Sequence, residues 1–266
     1  MPCRYVGTMK PRLLAAVTLS AVAVATLAGC SSSGQGAIAT ASASQQTSVL
    51  TTASFPSVVG DAVGAARSAH VDMTITASGN TITADGDVSY GDATSGTVMA
   101  MTMNLPTMSN VDMRFVGGKI YIDLGAQTQN KYVAIDPANG SNAISKSFAS
   151  IADSADPGKA FNLVKSAISS VTVAGAPVTL DGVEATPYTV SLMTSGLLSA
   201  LGLPTTATST LPPQIDYTYW IGPDNLIRKE TFTLAGTSEE LDYSKWGEPV
   251  SVQAPDPGQI TQMAGL

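Results

Sequence analysis

Of its 266 residues only one is histidine and two are cysteine. A lone imidazole, His70, cannot form a multi-histidine metal site. Cys3 and Cys30 both lie near the N-terminus, so a Cys/His zinc cluster has no donors to draw on. If the chain is cut before Cys30 no disulfide can form, and a fold outside the cytoplasm then depends on buried apolar area, at about 25 cal/mol per Å². Basic residues are also scarce. The 13 Lys and Arg stand against 20 Asp and Glu, and loss of Arg4, Lys10 and Arg12 with a leader leaves 10 against 20, a formal charge of −10. That balance argues against nucleic acid as a partner and against adhesion to anionic headgroups through a basic patch. Aromatic residues make up 6% and charged residues 12%, while Ala, Ser, Thr, Gly and Val dominate, a composition that favours a β-rich domain with an aliphatic and methionine core.

Catalytic motifs are lacking too. No Gly-x-Ser-x-Gly elbow occurs, so a Ser-His-Asp hydrolase would have to recruit His70 and a serine without its usual sharp turn. Gly34-x-Gly36 neither follows a strand nor opens a helix, so it cannot cradle a phosphate. Asp85 and Asp87 are of a type that pairs as acid and base or binds calcium, but Asp-Gly-Asp is read here as a turn, and His70 as the C-terminal residue of a helix, favoured by its dipole. The expectation is a non-enzymatic protein without a cofactor or metal. No internal repeat has a fixed period, and no apolar stretch after Cys30 is long enough to span a membrane.

What is present begins with the leader. A basic start, an apolar run over 13–27 and small residues before Cys30 form a signal peptide, with Met1 or Met9 as its first residue. Leu27-Ala28-Gly29-Cys30 matches the lipobox at which bacterial lipoproteins are cut, with diacylglycerol added to the cysteine thiol. Residues 31–54 are nearly all small and polar and cannot bury enough surface to fold, so they read as a tether. The expected organisation is a signal peptide over 1–29, a lipidated cysteine and tether over 30–54, and one folded domain over 55–266. The expected location is the outer face of the cell membrane.

Folding is predicted to start at Ser54, as cap of a helix with Pro56 in its first turn and Val59, Val63 and Ala66 at helical spacing. Strand signals follow over 71–77, 81–90, 97–105, 111–116 and 119–124, with Gly117-Gly118 as a two-residue hairpin turn. The middle reads as helical: a short helix over 144–151, and one opened by Asp156-Pro157 that puts Phe161, Val164 and Ile168 on one face. A strand over 183–193, a helix over 195–201 and an antiparallel meander over 215–246 complete the α+β pattern, with helices gathered on one side of a curved antiparallel sheet.

Several short segments, in order, resemble the LppX/LprA/LprF/LprG lipoproteins of mycobacteria and related actinobacteria. They are the lipobox, Arg67-Ser68-Ala69-His70, Gly117-Gly118-Lys119-Ile120-Tyr121, Tyr219-Trp220-Ile221 before a turn and Arg228, and Ser244-Lys245-Trp246-Gly247-Glu248-Pro249-Val250. The resemblance implies a half-barrel like that of the LolA and LolB lipoprotein carriers, with helices across its concave face enclosing an apolar cavity for acyl chains. It implies binding, and a role in transport, of acylated glycolipids or other envelope lipids, with a membrane transporter as a further partner. Residues 137–161 depart from the LprG pattern, which leaves the entrance and the particular lipid open.

The residues themselves point to a ligand at one place. Met99, Met101 and Met103 alternate along one strand face and continue to Leu105, and flexible thioethers adapt to an irregular chain as well as they fill a core. Phe115, Phe161, Val164, Ile168, Leu197, Leu198, Leu201, Tyr217 and Tyr219 are the expected partners across the cavity. The competing reading is an envelope assembly module with a filled core and a protein-binding surface. Cys30→Ser is expected to move the protein from the membrane fraction to the soluble fraction of its host, as read by immunoblot after ultracentrifugation.

Overall fold

The structure, a computed structural model, describes residues 49–91, 96–136, 165–200 and 211–262. The leader, Cys30, most of the tether, the helices expected over 144–151 and after Asp156-Pro157, and Phe161, Val164 and Leu201 lie outside the described residues.

Among the described residues the first that is buried is Leu50, four residues ahead of the predicted cap. Helix α1 (Phe55–Ala66) starts with proline in its first turn as expected. The Ser54 hydroxyl caps nothing, however, and instead accepts from the Thr51 backbone N–H at 2.9 Å. Arg67, with φ of 64°, ends the helix in the left-handed region, where its N–H reaches the Val63 carbonyl. His70 is therefore not a helix terminus: it lies three residues further on, inside strand β1. The dipole reading fails because the chain turns before the imidazole is reached.

The rest is chiefly one large, curved, unclosed antiparallel sheet. Its strands are β1 (Ser68–Ala77), β2 (Asn80–Ser89), β3 (Val98–Leu105), β4 (Met108–Val116), β5 (Lys119–Asp123), β6 (Tyr132–Ile135), β7 (Ile168–Val173), β8 (Val178–Leu180), β9 (Val183–Met193), β10 (Gln214–Ile221), β11 (Ile227–Leu234), β12 (Thr237–Ser244) and β13 (Ile260–Thr261). Their spatial order is β13-β6-β5-β4-β3-β2-β1-β12-β11-β10-β9-β7, with β8 alongside β9. Every pairing is antiparallel except β13 with β6. A second helix, α2 (Thr194–Ala200), follows β9 and packs Gly196 closely on Ala167.

Hairpins carry most of the topology. Gly117 and Gly118 take φ of 62° and 73°, the left-handed pair that a two-residue turn needs, and join β4 to β5. Two sequence expectations change in the sheet. Ile168 opens strand β7 after a 3₁₀ turn (Lys165–Ala167) rather than lying on a helix face, since its β-branched neighbours pair with β9. Asp85-Gly86-Asp87 is not a turn but the middle of β2. Glycine is needed there because a Cβ on residue 86 would fall 2.1 Å from the Ala100 carbonyl oxygen and 2.7 Å from the Met101 Cα.

Alternation along the paired strands sorts the side chains onto two faces. From β5 to β9 the directly paired residues Ile122, Met113, Met101, Gly86, Val71 and Tyr243, and beyond them Tyr219 and Tyr188, share one face. Two cores form on it. Under α1, Phe55, Val59 and Val63 pack on Val171, Tyr188, Val190, Ile221 and Ile227. Toward the other end Phe115, Met113, Ile120, Val133 and Ile135 pack together, with Met99 and Met103 against them. Phe55 is fully buried and touches the rings of Tyr188 and Tyr219. Phe55→Ala is expected to lower unfolding stability by about 3–5 kcal/mol in a urea titration, the usual cost of emptying a closed aromatic site.

Candidate functional site

Between the two cores the apolar face is left half-buried. Val71 and Met73 of β1, Val88 of β2, Tyr90 just beyond it, Met99 and Met101 of β3, and Leu241 and Tyr243 of β12 line an open groove of about 220 Å³. Gly86 forms part of the lining and Asp87 borders it. Strand pairing places these residues: Val71 sits opposite Gly86 and Tyr243, and Gly86 opposite Met101. Gly86 contributes no side chain to fill it, and β3 lies too close there for one.

The expected ligand residues divide among several places. Met99 and Met101 line the groove, and Met99 and Met103 also pack against the Phe115 core. Phe115 itself is buried in that core, and Leu105 lies half-buried at the end of β3 beside Met108. Ile168 and Tyr219 pack under α1, and Tyr217 stacks on Tyr219 and touches Phe232. Leu197 and Leu198 belong to α2, the second of them buried. Val71, Met73, Leu241 and Tyr243 were not expected to line a site; the alternation Val71, Met73, Ile75 in the sequence was the signal available for the first two.

One polar feature interrupts this face. Glu230 of β11 accepts a hydrogen bond from the Tyr219 hydroxyl at 3.0 Å and a second from Tyr243. Glu239 of β12 lies diagonally across from it on the same face, opposite Ile75 and Phe232. Burial pushes the Glu230 carboxyl up to about 7; the Tyr219 and Tyr243 hydrogen bonds pull against that shift and Glu239 adds to it. Burial likewise raises Glu239, lifts Tyr217 to about 12 and holds Tyr219 and Tyr243 well above the usual phenol range. The step of two residues from Glu230 to Phe232 was the sequence signal that puts the acid on the apolar side.

The opposite face is polar. Pairing of β1 with β2 brings His70 beside Asp87 and Asp72 beside Asp85. The His70 Nδ1 lies 2.7 Å from Asp87, and Nε2 lies 3.2 Å from Asp85 and 3.6 Å from Asp72. Both ring nitrogens thus face carboxylates. Among the described residues His70, Asp72 and Asp85 are the set whose donor atoms converge as a metal would require; the acids are exposed, and in that setting they serve as partners for the histidine. Lys229 bridges Glu240 at 2.6 Å and Asp242 at 3.7 Å further along the same face.

Two of the segments noted in the sequence, around Ser68 and around Trp246, meet in space. The Ser68 hydroxyl donates to the Glu248 carbonyl at 2.6 Å, Gly247 N–H donates to the Ser68 carbonyl, and the Trp246 indole donates to the Ile227 carbonyl at 2.8 Å. Their role is to lock β1, β11 and the stretch after β12 together. The sequence profile of the LppX_LprAFG lipoproteins matches residues 57–252, which takes in all of these elements. The chain belongs to the LppX_LprAFG lipoprotein family.

Solved structures of family members share the fold. LppX of Mycobacterium tuberculosis is 18% identical, with 74% of this chain and 99% of that chain covered and a TM-score of 0.50. LprF of Mycobacterium bovis is 15% identical, with 76% and 96% covered and a TM-score of 0.51. No curated protein is significantly similar to this chain in sequence. Among the described residues no helix is long and apolar enough to cross a membrane.

Glu230 sets a pH dependence. Its carboxyl titrates higher in the folded chain than in the unfolded one, so the folded state binds the extra proton between about 4.5 and about 7 and loses stability as pH rises through that window. The expected fall is at most about 3 kcal/mol. Thermal unfolding of native protein followed from pH 4.5 to 7.5 checks it, with Glu230→Gln expected to flatten the decline.

Proposed function

We propose that this LppX_LprAFG protein is a lipid-anchored envelope lipoprotein that binds the acyl chains of envelope lipids along its apolar sheet face and carries them as non-enzymatic cargo. The observation that bears most weight is the groove between the two cores, lined by Gly86 and by methionine, leucine and valine side chains. An apolar surface that the protein's own side chains leave half-covered is stabilised by hydrocarbon, at about 0.8 kcal/mol per buried methylene. Methionines at its wall adjust to an irregular chain with little rearrangement. At about 220 Å³ the groove is smaller than the roughly 300–1,000 Å³ of sites that enclose whole small ligands, so it suits a length of acyl chain and not an entire lipid.

The lipobox ending at Cys30 supports anchoring, and the small, polar stretch after it supports a tether. A flexible segment of about 20 residues has a root-mean-square reach of about 25 Å, enough for an anchored domain to sample the membrane surface without leaving it. Transfer to a second membrane then requires another component, a transporter or a carrier without an anchor. The competing reading, an assembly module with a filled core, draws on the closed packing of Phe115 and Tyr219, two residues otherwise expected in the cavity.

Lipid extraction separates the two. Protein purified from its host, extracted with organic solvent and analysed by mass spectrometry, is expected to release acylated lipid in near-stoichiometric amount. Leu241→Trp and Met73→Trp, which fill the groove while keeping it apolar, are expected to lose most of it while keeping the circular dichroism of the native fold. Equal lipid in native and filled proteins, or none in either, favours the assembly module.

A further inference from the structure

The acid and phenol cluster beside the groove has no part in burying an acyl chain. Glu230 lies on the same face as Met73, Val71 and Met101, and its neighbour Leu241, directly opposite in the ladder, lines the groove. Tyr243, which also lines the groove, carries the hydroxyl that reaches Glu230. The groove is thus walled by methionine, leucine and valine, and its Tyr243 and Leu241 edge adjoins the Glu230 carboxyl one strand further on. A carboxyl on an apolar face costs free energy even when hydrogen-bonded, and a second carboxyl diagonal to it adds repulsion. Neither Glu230 nor Glu239 has a basic partner among the ion pairs of the described residues. Lys229, between them in sequence, points to the other face, where it meets Glu240 and Asp242.

We propose that Glu230, Glu239 and Tyr243 form a head-group filter for the groove, admitting lipids whose polar end is a neutral hydroxyl and rejecting lipids whose polar end is a carboxylate. This rests on the groove being the ligand site. A hydroxyl both donates and accepts, so it pairs with a carboxyl in either protonation state and with a phenol. A carboxylate only accepts, and it would stand beside two carboxyls in a setting where water screens little of the repulsion. Selectivity of this kind comes from penalising the wrong ligand as much as from rewarding the right one. The groups that face Glu230 are Tyr217 and Tyr219 on β10 and Glu239 and Tyr243 on β12, with Tyr90 next to Tyr243; none of them is cationic. Burial pushes Glu230 up to about 7, so at pH 8 the acid is charged and the discrimination is strongest.

The test uses two probes of equal chain length, 1-hexadecanol and hexadecanoate, each displacing the neutral fluorophore N-phenyl-1-naphthylamine from delipidated full-length protein at pH 8. In native protein hexadecanol is expected to displace the dye at a concentration at least tenfold lower than hexadecanoate. In Glu230→Gln/Glu239→Gln the ratio is expected to shrink at least fivefold, through tighter hexadecanoate binding, with hexadecanol little changed. Glu230→Asp, which keeps the charge, controls for repacking and should preserve the native preference. A ratio unchanged in the double variant overturns the filter. Dye uptake that persists in Leu241→Trp, or that is missing from native protein, overturns instead the assignment of the groove as the ligand site, and the filter with it.

Discussion

One continuous sheet of cross-strand pairs, running from β13 at one end to β7 at the other, governs everything else in the domain. Because side chains alternate along the strands, apart from irregularities near Trp220, Met103 and Ile168, the register of those pairs decides which residues face the apolar side, and a slip of one residue would invert the set. Among the described residues, the sheet is wider than α1 and α2 cover. Helix α1 closes one part with Phe55, Val59 and Val63, the Phe115 core closes another, and the stretch between them is left to Met99, Met101, Val71 and Leu241. The groove is thus a consequence of width and register before it is a consequence of any particular side chain.

Polarity on the two faces is unequal in kind as well as amount. On the outer face acids meet His70 or Lys229 and lie near water, so charge is cheap there. On the apolar face Glu230 is matched with phenols, and its carboxyl is held near neutrality by burial. The same residue type therefore acts as a surface charge at Glu240 and as a titrating group at Glu230, although only ten residues separate them in sequence.

Much of the sheet was legible because strands announce themselves through period-two alternation and hairpins through glycine. The strand at Val183–Met193 and the turn at Gly117-Gly118 fall where the sequence puts them, since each satisfies both rules at once. Failures came where a local rule was overridden by pairing. Asp-Gly-Asp has turn composition, yet pairing with β1 holds Asp85 and Asp87 in β2, where His70 meets both carboxylates, and Gly86 is there because β3 comes too close for a side chain. Ile168 read as the end of a helix face, but its partner in β9 decides its state. The short strands β6, β8 and β13 were missed because two to four residues hold too little pattern to register. For the site, the methionine alternation located one wall of the groove; the opposite wall comes from β12, some 140 residues later, and no local pattern links the two.

The C-terminal segment ends the sheet in an unusual way. Ile260–Thr261 adds as a two-residue parallel strand along β6, after a 3₁₀ turn closed by a capping box between Asp256 and Gln259. An open sheet presents unpaired backbone at its rims, and such a rim recruits stray extended chains. Here the rim of β6 is occupied by a stub too short to template another strand, held in place by its own turn. The consequence is that this rim offers a passing extended chain only two residues of backbone to pair with, so the fold caps its own edge at little cost in length.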